Sequence, residues 1–238
     1  MLIGEDYPKI EFHWLGLELL EPMAFITDSI LGILSFVIAW RVHRLNNPHP
    51  LVQNWKWFFF VMGFATTTGG LAHLMYNYWG IWAKFPSWVI APIALLFLER
   101  ATLSVYPHQK VRKTLFTIVS FKYLVVLVIW LLICFSLDLS LPENEKKPFV
   151  PLAINSAIGA IGCTVLLTWW YGRVLHPAYR LFSYGTLIAV PSVFLIVMRI
   201  HPHQWFNGED LGHVMMMATY IFSWMAIKRL SPILSNGS

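Results

Sequence analysis

Long apolar runs, each broken by proline, glycine or charge, follow one another along nearly the whole chain. Runs close to the ~20 residues that cross a bilayer predict helices, at 22–43, 52–78, 86–105, 112–137, 149–172, 177–199 and 210–230. Together they predict an all-α fold, an integral membrane bundle of seven transmembrane helices. Before the first run, "IEFHWLGLELLEP" sets Ile10, Trp14 and Leu17 on one helical face and Glu11 and Glu18 on another. That pattern predicts a short helix lying at the membrane interface. The chain then divides into an N-terminal interfacial segment, 1–21, and a seven-helix transmembrane domain, 22–238.

Composition removes the soluble alternative. The 238 residues are 57% hydrophobic and only 12% charged, with a mean hydropathy of +0.60, outside the balance of soluble domains. The N-terminus carries acids before any apolar run and lacks the basic start of a secretory signal. A net charge of +5 suggests nucleic acid at first sight, but the basic residues are spread over short loops rather than gathered in one tract. Topology explains them better. Arg41, Arg44, Lys56, Arg100, Lys110, Arg112, Lys113, Arg173, Arg180, Lys228 and Arg229 fall on one side, against Lys9, Lys84, Lys146, Lys147 and Arg199 on the other. This bias predicts an outside N-terminus and a cytoplasmic C-terminus in a plasma or bacterial inner membrane. Cys134 and Cys163 sit at different depths in apolar runs, so each is expected to stay unpaired and pack as a small apolar residue.

Ionisable residues inside a span are costly unless paired, hydrated or metal-bound, which makes each a functional candidate. Asp28 lies six residues into helix 1, ~9 Å at the helical rise. His73 lies about five residues before the outer end of helix 2, ~7–8 Å deep. Helix 7 opens with "NGEDLGH", which puts Glu209 and Asp210 at its mouth and His213 one turn further in. Three distant segments thus carry polar groups at nearly one level. Gly69 and Gly70 share the face of His73 and leave room beside its ring. Taken singly, each has a plainer reading: His73 as an interhelical hydrogen-bond donor, Asp210 as a helix N-cap, Asp28 as partner of a Ser or Thr. Glu99, beside Arg100 near the inner face, is expected to reach the interface or pair locally; Lys122, deeper in helix 4, is harder to dismiss, although its long stem could reach the cytoplasmic interface. Met215, Met216 and Met217 read as adaptable packing. His201 and His203 fall in an outer loop, where solvation is expected.

These residues carry a resemblance. Seven helices, a small residue four before a histidine late in helix 2 and a histidine early in helix 7 resemble the superfamily of alkaline ceramidases and progestin/adiponectin-type receptors. The set "EPMAFITD", "GGLAH" and "NGEDLGH" resembles more closely a group of bacterial seven-helix membrane proteins without an established activity. The first resemblance implies zinc held within the bundle and hydrolysis of lipid amides. The motifs depart from it: Gly69 stands where a serine precedes the histidine of helix 2, Glu209 or Met217 replaces one histidine of helix 7, and "SWVIAPIALLFLER" holds no aspartate.

Two functions from different classes follow. In a membrane-embedded hydrolase of lipid esters or amides, His73, His213 and Asp210 or Glu209 hold zinc, and Asp28 takes the proton of the bound water. In a non-catalytic accessory subunit, docked on other membrane subunits, His73 and His213 ligate a haem or chlorin, or the polar cluster merely locks the bundle. Membrane lipids are expected partners in either case, and nucleic acid in neither. A retinal protein is disfavoured because Lys228 lies at the end of helix 7 rather than in its middle.

Overall fold

The structure is a computed structural model and describes residues 1–139, 141, 144 and 147–235. Lys146, counted above among the basic residues of one side, falls outside them. The chain is 78% helical, in seven long helical runs. These are α1 (Pro22–Arg44), α2 (Pro50–Leu74), α3 (Phe85–Leu103), α4 (Gln109–Ser136), α5 (Phe149–Val174), α6 (Arg180–Val197) and α7 (Gly208–Ser235). Five of the runs are long and apolar enough to cross a membrane. The exceptions are α2 and α7, which carry His73, Glu209, Asp210 and His213.

Helices α1, α2, α3, α5, α6 and α7 pack in that order into a closed ring, with α7 returning to α1. Helix α4 lies outside the ring against α3 and α5. It buries Val119, Trp130 and Cys134 and leaves much of its remaining apolar surface exposed. Cys134 and Cys163 are both unpaired, as expected.

Helices begin where proline allows. Pro22, Pro50 and Pro86 each stand in the first two positions of a helix, where the missing N–H costs nothing. Helix α5 contains a π-helical stretch, Ala160–Leu167, and Gly159 just before it faces the Glu99 carboxylate, which a Cβ there would meet at 2.5 Å. Glu99 is buried and pairs with Lys122 of α4. Glu99 therefore neither reaches the interface nor pairs on its own helix, and Lys122 does not use its route to the interface. Two long side chains that each had a route to the interface neutralise one another inside the bundle, because a buried charge is tolerated best beside its opposite.

The main apolar core lies toward the end of the bundle where α1 finishes and α2 starts. Trp55 stacks on Phe182 with centroids 4.8 Å apart and rings 6° from parallel, and Leu51, Phe59, Ile227 and Leu230 are buried around them. Lys and Arg crowd this end, here called the basic end. The opposite, acidic end is polar inside.

The N-terminal segment is not a helix. Glu11–Trp14 (β2) and Leu17–Leu20 (β3) pair antiparallel, and Leu2–Ile3 (β1) pairs with Ile200–His201 (β4). The two-residue turn, Leu15 at φ 51° and Gly16 at φ 79°, has both residues left-handed, the geometry that lets a tight hairpin keep the twist of its strands. The short segment reads equally well at both periods, and Gly16 tips it toward a turn.

Candidate functional site at the acidic end

Helix α2 ends at Leu74, earlier than the apolar run suggested. Met75 closes it, and a single turn, Tyr76–Trp79, and a 3-10 segment, Gly80–Lys84, lead into α3. His73 is therefore in the last turn of α2, at the mouth of the bundle rather than inside it. Its Nδ1 lies 2.8 Å from Oε2 of Glu21. Glu21 is the residue before Pro22, and it holds a left-handed backbone, φ 48°. For a non-glycine residue that conformation costs roughly 1–2 kcal/mol. Its amide is fixed by a 2.9 Å hydrogen bond to the Ile10 carbonyl.

Burial alone would raise the Glu21 carboxyl. The hydrogen bond and charge of His73, joined by the charges of Lys9 and Lys84, outweigh it and pull the group from 4.5 down to about 2. Lys9 Nζ stands 3.6 Å from the same carboxylate oxygen and 4.2 Å from the centre of the Tyr76 ring.

This pair lines a cavity of about 230 Å³. The N-terminal segment from Asp6 to Ile10 forms one wall, and Lys84, Trp205, Glu209 and Asp210 contribute to the others. His201, expected in solvent, is buried in this wall. Its Nδ1 accepts the Gly208 amide at 3.1 Å, and its Nε2 lies 2.9 Å from Oδ1 of Asp6. An acceptor at Nδ1 makes the neutral ring an Nε2–H donor to Asp6. The Asp6 contact and the β1–β4 pairing both fasten the N-terminal segment over the cavity.

One helical turn further along α1 and α7 lies a second polar group. His213 Nε2 stands 3.4 Å from Asp28 Oδ1, and His213 Nδ1 stands 2.9 Å from Thr27 Oγ1. Thr27 Oγ1 is also 3.2 Å from Asp210 Oδ1. Asp28, His213, Thr27 and Asp210 thus form one connected chain between α1 and α7. Asp28 is not part of the cavity wall. The glycines of α2 allow its position: a Cβ at Gly70 would meet that of Asp28 at 2.9 Å, and one at Gly69 would meet its Oδ2 at 3.4 Å.

Asp210 is not the N-cap of α7. Asn207 is, its Oδ1 accepting the amides of Glu209 at 2.7 Å and Asp210 at 3.1 Å. Asp210 reaches back to accept the Asn207 amide at 2.8 Å, which closes a reciprocal capping box. The second oxygen is then free to meet Thr27.

The five residues singled out from sequence, Asp28, His73, Glu209, Asp210 and His213, all lie at this end, but in two layers rather than at one level. His73 is engaged by Glu21, and both nitrogens of His213 are engaged by Thr27 and Asp28. No three His, Cys, Asp or Glu side chains among the described residues stand together as a metal-ligand set. Glu21, Thr27 and Asn207 were missed. Glu21 was legible only as an acid preceding a helix-opening proline, and Thr27 was hidden because hydroxyls are common in spans.

Residues 23–232 match DUF6962, a family of unknown function, and the chain belongs to it. No curated protein matches the chain, and no solved structure does.

Proposed function

We propose that the acidic-end cavity is an acid–base site acting on the polar end of a membrane-borne lipid ester or amide. In this reading all seven helices cross the membrane, and the basic end faces the cytoplasm. The observation that carries it is the His73–Glu21 pair on the cavity wall. With Nδ1–H donated to Glu21, the neutral ring keeps its free lone pair on Nε2. His73 then takes a proton from water as the water attacks the acyl carbon, and returns it to the departing alcohol or amine. Glu21, ionised down to about 2, stabilises the imidazolium between these steps. Lys9 and Lys84 supply positive charge for the developing oxyanion. Asp28 is a positioning residue here, acting through His213.

Hydrolysis as the reaction class rests on the resemblance in helix order, which is an analogy. Zinc, haem or chlorin ligation by His213 would first displace Thr27 or Asp28 from its ring, so the acid–base reading needs fewer changes. A second reading, in which the cluster locks the helices of an accessory subunit, is favoured by the burial of Thr27, Asp28 and Asp210.

The test is fatty-acid release from acyl esters and N-acyl amides by the full chain in lipid nanodiscs. Loss of a general base is expected to slow release about 100-fold or more in His73→Gln, with the fold retained at the assay temperature. Equal turnover by wild type and H73Q, or no release from any substrate presented, sinks the proposal in favour of the lock.

A further inference from the structure

A second cavity, of about 330 Å³, lies at the basic end. His49, Arg112 and His176 line one part of it, and Leu230, Ile233 and Leu234 another. The two histidines come from matching places in the sequence, each directly before a proline that opens a helical segment: His49-Pro50 before α2 and His176-Pro177 before α6. Each caps its segment in the same way. His49 Nδ1 accepts the amide of Leu51 at 3.2 Å, and His176 Nδ1 accepts that of Ala178 at 3.2 Å.

Caps are normally Ser, Thr, Asp or Asn, and histidine in that place is unusual. A histidine that accepts through Nδ1 carries its proton on Nε2 when neutral, so it caps the helix and remains a donor. Burial, and then the charge of Arg112, lower the basicity of His49 and favour this neutral form. Arg112 is anchored by a 2.9 Å bond from Nη1 to the Ser104 carbonyl, which leaves its other N–H groups for a ligand. The loops here, residues 45–49, 104–108 and 175–179, contain no Asp or Glu at all. The polar part of the lining therefore offers two imidazole N–H groups, a guanidinium and hydroxyls, and no carboxylate.

We propose that this cavity is a phosphate-binding site. Arginine matches two phosphate oxygens at once, and the two imidazoles add further N–H donors. The adjoining leucines and isoleucine suit a phosphodiester carried by an anionic phospholipid, with acyl carbon against α7. Basic pockets between helices at a membrane face bind lipid headgroups in this way. The site stands apart from the acidic-end cavity and does not depend on its chemistry.

The experiment follows thermal unfolding of the full, delipidated chain in neutral detergent, titrated with phosphatidylglycerol, phosphatidylcholine or inorganic phosphate at constant ionic strength. Phosphatidylglycerol is expected to raise the midpoint and phosphatidylcholine to leave it. In Arg112→Gln, loss of a charge-assisted contact is expected to require about tenfold more phosphatidylglycerol for the same rise. Lys113→Gln, exposed and outside the cavity lining, is expected to match wild type. A rise with inorganic phosphate alone assigns the site to the free ion, and a rise with the lipid alone assigns it to the headgroup. No rise with either, or equal loss in K113Q and R112Q, overturns the site. Should R112Q not fold, native mass spectrometry of wild type gives the second readout: one phosphatidylglycerol retained in preference to phosphatidylcholine supports the site, and equal retention overturns it.

Discussion

Asp28 of α1 and His213 of α7 face one another, Oδ1 3.4 Å from Nε2, while the other nitrogen of the same ring meets Thr27 at 2.9 Å. One imidazole is thereby hydrogen-bonded at one nitrogen and faced by a carboxylate at the other, from adjacent residues of a single helix turn, where α7 meets α1 at the acidic end. Replacing Asp28 with leucine strands the His213 ring and is expected to cost about 1–3 kcal/mol. Asp28→Asn, which keeps an acceptor, is expected to cost less. Chemical denaturation in detergent ranks the two, and an equal or reversed order would show that the pair contributes nothing specific.

The two glycines of α2 are predicted to differ. At Gly70 an added Cβ meets the Cβ of Asp28 at 2.9 Å and the Phe25 carbonyl at 3.3 Å, and backbone cannot move aside cheaply. Gly70→Ala is expected to lose roughly 1–3 kcal/mol through overpacking. At Gly69 the nearest atom is a carboxylate oxygen at 3.4 Å, ordinary contact, so Gly69→Ala is expected to stay close to wild type. Thermal midpoints of the two variants check this, and a well-folded G70A would refute the close approach of α1 and α2.

Glu21 makes stability depend on pH with a definite sign. Its carboxyl is lowered from 4.5 to about 2 in the folded chain, so the folded state holds the ionised form more strongly than the unfolded one. The contribution is complete above the unfolded value and is lost as pH falls from about 4.5 toward about 2. Across that window the thermal midpoint of wild type is expected to fall more steeply than that of Glu21→Gln. Parallel curves would mean that the His73 contact stores no such linkage.

Glu99 and Lys122 should be tolerant of joint removal and intolerant of single removal. Lys122→Met leaves a buried carboxylate without its partner and is expected to cost about 3–5 kcal/mol. Adding Glu99→Gln is expected to recover most of that loss, since neutralising both partners removes the charge that needed compensation. A double-mutant cycle measures the coupling, and additive losses would argue against the pair.

Much of this was readable along the chain. Apolar run length and proline placement marked the seven helical runs because both act within a few residues. The same local rules put Asp28, His73 and the start of α7 at one end, since helix rise converts residue counts into depth. They failed where a local pattern was ambiguous: the segment around Leu15 and Gly16 fits a helix face or a hairpin, and the apolar run past Leu74 hides the break at Met75.

What the sequence by itself determined is the helical, membrane-suited character of the chain and the gathering of most of its basic residues at one end. Which polar groups meet was decided only by tertiary packing. His73 pairs with Glu21 rather than Asp28, His213 is shared by Thr27 and Asp28, and Lys122 turns to Glu99. The physical reason is that helix periodicity fixes the depth and face of a side chain on its own helix. The rotation and closeness of neighbouring helices, set here by glycines against Asp28 and Glu99, fix its partner.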